Sequence, residues 1–286
     1  MEQQSMMILW AAILLMAGTG LLLGLVIGWF AKLFRIETDS RVELVTELLP
    51  GANCGGCGKA GCSDFAKSVV SGENPPSKCP VSSKEQISAI AMALGIDAGE
   101  AFQQRAVVMC GGDMEQTLRL ANYNGVLDCA AASLVAGGPK GCSYGCLGMG
   151  TCARHCPFGA IEMINNLAVI HKEICVGCGK CVAACPRGVI KLVPADAQVH
   201  VYCNSPAKGP AKKQVCKVPC IGCRKCARAF PEKFVIEGFK ASVNYQNADY
   251  PTPEEAQSVG CPTGALLSAD EHLNIERHEP NWSPEK

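Results

Sequence analysis

Hydrophobic and polar positions divide the chain sharply. From Met6 to Ala31 nearly every side chain is apolar, with Thr19 the clear polar exception. At about 1.5 Å of rise per residue, such a run is long enough to cross the ~30 Å hydrocarbon core of a bilayer. Trp10 and Trp29 stand near its two ends, where interfacial aromatics anchor a spanning helix. A cleaved signal peptide needs a basic segment ahead of the apolar run, and here Glu2, Gln3 and Gln4 precede it. Lys32, Arg35 and Arg41 follow it instead, so the positive-inside rule sends the rest of the chain to the cytoplasmic side. Gly20, Gly24 and Gly28 recur every four residues and share one helix face, a spacing that lets membrane helices approach closely.

Beyond the anchor the pattern breaks into short elements. Ser40 to Glu43 reads as a capping box opening a short amphipathic helix that ends at Pro50-Gly51. Ser63–Ser71 reads as a second helix, and weaker helical periodicity runs over Lys84–Leu94 and Met114–Ala121. Ala160-Ile161 and Val189-Ile190 begin short strands.

Cysteine usage changes the picture more than charge does. The formal net charge is zero and says little about partners, whereas 20 of the 286 residues are cysteine. Disulfide scaffolds are usually short and secreted, and zinc ribbons come as two cysteine pairs across a longer gap. Here triplets with two-residue spacing are closed by a distant Cys-Pro, an iron–sulfur pattern. The clearest is Cys175, Cys178, Cys181 and Cys185-Pro, a run in which three thiolates hold one 4Fe–4S cluster and the fourth reaches its neighbour.

Four sets of four follow. Cys54, Cys57, Cys62 and Cys79 form a separate glycine-rich site. Under the crossover rule, Cys142, Cys146 and Cys152 share a cluster with Cys185, while Cys175, Cys178 and Cys181 share one with Cys156. In the last unit Cys220, Cys223, Cys226 and Cys261 survive, and the other four expected positions hold Phe230, Pro251, Glu254 and Gln257. All four losses belong to one cluster, so one cubane is lost and one kept, for about four in the chain. Cys203 and Cys216 have no assignment, and Cys110 and Cys129 read either as small buried hydrophobes or as ligands of something extra.

The segment from Lys208 to Arg228 carries seven basic residues and no acidic one, Lys212 and Lys213 among them. Such a collar steers an acidic redox carrier, or is simply a solvated loop. A dinucleotide fingerprint and a P-loop are both missing, and His155 and His171 flank ligand cysteines without forming a catalytic pair. Nothing points to nucleic acid, and no residue is expected to be catalytic in its own right.

The apolar N-terminal helix, Asn53-Cys-Gly-Gly-Cys57-Gly with Cys62 and Cys79, and the repeated cysteine runs resemble the B subunit of Rnf-type ion-translocating oxidoreductase complexes, in its longer form. The resemblance implies an α+β chain of six segments. A transmembrane helix and juxtamembrane segment (1–35) lead into a small four-cysteine domain (36–96) and a connecting segment (97–139). A double-cluster ferredoxin domain (140–195), a ferredoxin-like βαβ-type unit with one cluster (196–271) and a polar tail (272–286) follow. It implies an electron relay on the cytoplasmic face of the cell membrane, in a translocase linking ferredoxin and NAD to sodium or proton movement. Soluble ferredoxin would be the donor, other membrane and peripheral subunits the partners, and flavin and NAD sites would lie on those subunits. The alternative is a relay subunit of another membrane oxidoreductase such as a hydrogenase. Those usually lack the separate Cys54–Cys79 domain.

Overall fold

The computed structural model describes residues 2–34, 39–100 and 103–273; Arg35 and the polar tail from residue 274 onward lie outside the described residues. The chain divides into two compact units, residues 1–44 and 45–286. The first is dominated by helix α1, Glu2–Leu33. Its Trp10–Leu33 portion is long and apolar enough to cross a membrane, and none of it is buried. The hydroxyl of Thr19 donates to the Leu15 carbonyl at 2.9 Å, so the polar side chain in the middle of the span is satisfied within the helix. Helix α2, Ser40–Leu48, begins one residue away from the expected cap. Asp39, not Ser40, supplies it, its carboxylate accepting the Arg41 backbone N–H at 2.9 Å.

The second unit opens with helix α3, Cys62–Val70, which buries Phe65, Ala66 and Val69 along one face. A 3-10 turn, Pro76–Lys78, leads to helix α4, Lys84–Leu94. There Ser83 and Gln86 form a reciprocal capping box, and Gly95 closes the helix in the left-handed region at φ 65°.

Among the described residues, eight short strands then form four two-stranded antiparallel ribbons. Strand β1 (Gln104–Val108) pairs with β4 (Ile190–Pro194), and β2 (Ile161–Ile164) with β3 (Leu167–Ile170). Between them lie α5 (Cys129–Leu134), α6 (Thr151–Arg154) and α7 (Lys180–Ala184). In the last unit β5 (Val199–Val201) pairs with β8 (Leu266–Ser268), and β6 (Phe234–Glu237) with β7 (Lys240–Val243). Helices α8 (Gly209–Val215), α9 (Lys225–Ala229), α10 (Pro253–Val259) and α11 (Ala269–Leu273) complete it. The architecture is α+β.

A two-stranded ribbon has little stability alone. Here ribbons share cores with the cysteine loops: Leu167, Val189 and Ile190 pack with Cys146, Cys152 and Cys181, and Val199, Phe234 and Val259 pack with Cys226.

Two expectations fail in this region. Residues 97–139 are more than a connector, because β1 completes a ribbon of the double-cluster unit. Met114–Ala121 is not a helix. The Asp113 carboxylate accepts the backbone N–H groups of Glu115 and Gln116 at 2.9 and 2.8 Å, holding a turn, after which Thr117 and Arg119 bridge to Cys216 and Lys140.

Candidate iron–sulfur sites

Cys156, Cys175, Cys178 and Cys181 line one cavity of about 320 Å³. Its loop needs Gly177, whose φ is +70° and whose added Cβ would collide with the Gln104 carbonyl of β1. The same strand sends the Ala106 N–H to the sulfur of Cys175 at 3.4 Å. Gly179, also left-handed, starts α7 and so presents Cys181. Burial first, then the neighbouring cysteines, push the Cys181 thiol up to about 12. Left as a free thiol it stays protonated at neutral pH, so metal binding must displace a proton.

The last unit repeats this construction. Cys220, Cys223, Cys226 and Cys261 line a cavity of about 380 Å³. Gly222, at φ +69°, faces the Phe239 carbonyl, and the Ala241 N–H donates to the Cys220 sulfur at 3.4 Å. Strand β7 thus does for this loop what β1 does for the other. One residue departs from the pattern: Arg224 occupies the left-handed position, φ 61°, that Gly179 fills in the first unit. Where the second set of this unit would have stood, Phe230 packs into the core, and α10 with its buried Ala256 and Val259 takes the remaining space.

A third cavity, of about 340 Å³, is lined by Cys129, Cys146, Cys152 and Cys185. Cys142, expected with the last three, does not line it; Cys129 does. The reason is a register that the sequence carries. Counting back from Cys156-Pro in steps of four, three and three gives Cys152, Met149 and Cys146, matching Cys185-Pro with Cys181, Cys178 and Cys175. Methionine therefore stands at the middle ligand position, and Cys129 takes the vacated place beside it. Met149 is buried against Cys129. Asp128 caps α5 by accepting from Ala130 and Ala131, and the Thr151 hydroxyl accepts the Cys129 N–H at 2.7 Å while donating to Asp128 at 2.9 Å. This knot holds Cys129 against α6. Burial pushes the Cys152 thiol up to about 12, with Cys146, Cys129 and Cys185 adding to it.

Cys54 and Cys57 lie on the loop before α3, Cys62 is the first residue of that helix, and Cys79 follows the 3-10 turn. Asn53, at φ 45°, turns the loop back so that its side-chain oxygen accepts the Cys62 N–H at 2.8 Å. A Cβ added at Gly56 would lie 2.8 Å from Pro80 Cγ, so the loop rests beside Cys79. Cys54, Cys57 and Cys79 are buried and Cys62 is half-buried.

Among the described residues, no three His, Cys, Asp or Glu side chains converge on a point where one metal ion would sit. A zinc ion needs thiolates about 2.3 Å from one centre. Thiols that ring a cavity suit a four-iron cluster instead, and the N–H···S bonds are the kind that tune its potential. His155 meets the Thr151 carbonyl at 2.8 Å and His171 meets Glu162 at 3.1 Å. The basic segment is not a uniform collar. Lys212 is buried, its ammonium donating to the carbonyls of Cys220 and Phe239 at 2.8 and 2.9 Å, whereas Lys213, Arg224, Lys225 and Arg228 are exposed.

Comparison with known proteins agrees with this layout. A putative Fe-S cluster family matches residues 49–81, and a 4Fe-4S binding domain family matches residues 168–191. The B subunit of the proton-translocating ferredoxin:NAD(+) oxidoreductase complex of Clostridium ljungdahlii is 40% identical over 264 residues, covering 92% of this chain and 93% of its own length. The B subunit of the ion-translocating oxidoreductase complex of Methanosarcina acetivorans is 41% identical over 208 residues, 72% of this chain and 79% of the relative. The Na(+)-translocating counterpart of Acetobacterium woodii is 45% identical over 142 residues, covering 50% and 43%. A full-length likeness of this degree, on a chain that joins an apolar helix to cysteine-ringed cavities, makes the protein a member of the B-subunit family of ion-translocating oxidoreductase complexes.

Proposed function

We propose that this chain is the iron–sulfur relay through which such a complex receives electrons from reduced ferredoxin, with its soluble part on the cytoplasmic side of the membrane. The observation that carries the reading is the repetition of one design: cavities of about 320, 340 and 380 Å³, each lined by four cysteines within one compact unit. With Cys54, Cys57, Cys62 and Cys79 they make four sets. Cubane clusters bound there supply one-electron storage and transfer.

The chain's own residues set the order. Cys223 is exposed beside Arg224, Lys225 and Arg228, so the last unit offers an acidic carrier both access and charge. The loop of Cys54 and Cys57 touches the loop of Cys178 at the other end. The Cys54–Cys79 set lies nearest the anchor in sequence and faces the membrane subunits in this reading. No residue of the chain is asked to do hydride chemistry, which belongs to other subunits.

The test uses the full-length chain, purified in detergent without oxygen and mixed with reduced ferredoxin. Cluster absorbance should bleach, and reversing charge at Lys225 and Arg228 should slow the bleaching at low salt. A colourless protein holding stoichiometric zinc would reject the relay. Proteolysis of the soluble part in right-side-out but not inside-out vesicles would place it on the wrong side of the membrane.

A further inference from the structure

Cys110, Cys142, Cys203 and Cys216 come from four separate segments, yet they line one further cavity of about 380 Å³. We propose that these four thiols hold a fifth 4Fe–4S cluster, lying between the double-cluster unit and the last unit. The proposal rests on the reading that the other cysteine-ringed cavities hold cubanes.

The site has the features of the sites already described. Like the Cys220 cavity, it is ringed by four thiols. Backbone N–H groups point at its sulfur: those of Gly112 and Cys146 both reach Cys110 Sγ at 3.4 Å. Glycine keeps its walls open. A Cβ on Gly145 would sit 3.4 Å from both Cys110 Sγ and Cys142 Sγ, and one on Gly112 would strike Thr117 Cγ2 at 2.6 Å and lie 3.6 Å from Cys110 Sγ and 3.7 Å from Cys216 Sγ. Neither glycine has a positive φ, and at Gly112 it is the Thr117 methyl that leaves no space for a Cβ.

Charge gives an independent reason. Lys140 is buried, and its ammonium donates only to the carbonyls of Gly112 and Asn166, at 2.9 and 2.7 Å, with no carboxylate partner among the described residues. Lys212, also buried and also held by carbonyls alone, lines the cavity itself, whereas Lys140 lies behind its wall, bonded to the carbonyl of Gly112. Buried uncompensated cations are costly. A cubane held by four thiolates carries net negative charge and offsets both.

The position is apt. Cys110 touches Cys146 of the neighbouring set, while Cys203 follows Val201, which lines the Cys220 cavity. Every one of the 20 cysteines then belongs to a set.

The experiment counts iron and acid-labile sulfide per full-length chain, purified in detergent without oxygen. Roughly 20 iron atoms are expected, four for each of five sets. The pair Cys203→Ala with Cys216→Ala should remove about four, and so should Cys110→Ala with Cys142→Ala. The fourfold variant should lose the same four and no more. A wild-type count near 16, unchanged in the Cys203/Cys216 variant, overturns the site while leaving the relay intact. A loss of about eight in the fourfold variant overturns the grouping, because Cys142 would then serve a different cluster. One zinc per chain beside roughly 16 iron atoms overturns the cubane here, whereas an iron-free chain rejects the relay as a whole. Where a variant fails to fold, the wild-type count alone decides.

Discussion

Gly56 lies directly against Cys178: a Cβ added to the glycine would stand 3.0 Å from the Cys178 Cα and 2.8 Å from Pro80 Cγ. One loop of the four-cysteine domain thus rests on a ligand loop of the double-cluster unit. Replacement Gly56→Val must push these loops apart, at a cost of about 1–3 kcal/mol. We expect an unchanged iron content, a lower melting temperature and slower electron equilibration between the two sites in freeze-quench EPR. Unaltered equilibration would mean that this contact is not the junction.

The Met149 register makes a sharper prediction. Cys129→Ala should strip the cavity that it shares with Cys146, Cys152 and Cys185, lowering the count by up to about four iron atoms per chain. Adding Met149→Cys to that variant returns a thiol to the middle position of the run and should restore the iron. If Cys129→Ala leaves the count intact, Cys129 is only a buried side chain.

Arg224 bears the cost of a left-handed conformation that Gly179 adopts freely. Arg224→Gly should stabilise the last unit by roughly 1 kcal/mol, read as a higher melting temperature. The same change removes an exposed charge beside Cys223, so association with an acidic carrier should be slower than in the wild type at low salt, a difference that vanishes at high salt. A stability loss would show that the arginine makes compensating contacts.

His200 is buried and its Nδ1 meets the Tyr245 hydroxyl at 2.8 Å; burial pushes its pKa down to about 4. The unfolded chain binds a proton near pH 6.5 that the folded one refuses, so stability falls as pH drops from about 6.5 toward 4. His200→Gln removes that penalty. Its destabilisation at pH 7.5 should shrink by about 2 kcal/mol at pH 5, measured by denaturant unfolding of both proteins. A constant difference across this range would mean that His200 protonates normally in the folded chain.

Features with their own local chemistry were legible in the sequence. The apolar run is helix α1, the periodicity over Lys84–Leu94 is α4, and Cys175 to Cys185 declares its site by spacing alone. What stayed hidden depends on partners distant along the chain. Gln104–Val108 is a strand because β4 and the Cys175 sulfur accept it, and its own alternation is weak. Lys212 looks like any surface lysine until two carbonyls enclose it. Cys129 was within reach: aligning the runs on Cys-Pro exposes Met149 at a ligand position, which asks for a cysteine from elsewhere. Cys110, Cys203 and Cys216 give no comparable hint, because none belongs to a triplet of two-residue spacing.

The nesting of the cysteine sets bears on how the chain matures. Cys54 to Cys79 lie within one short stretch and can be loaded as soon as that stretch leaves the ribosome. The set of Cys129 to Cys185 closes around part of the double-cluster unit, and the cavity of Cys110, Cys142, Cys203 and Cys216 draws on segments before, within and after it. The last thiol of that cavity, Cys216, emerges after every cysteine of the Cys54–Cys79 and Cys129–Cys185 sets, so during synthesis its ring is complete only once theirs already are.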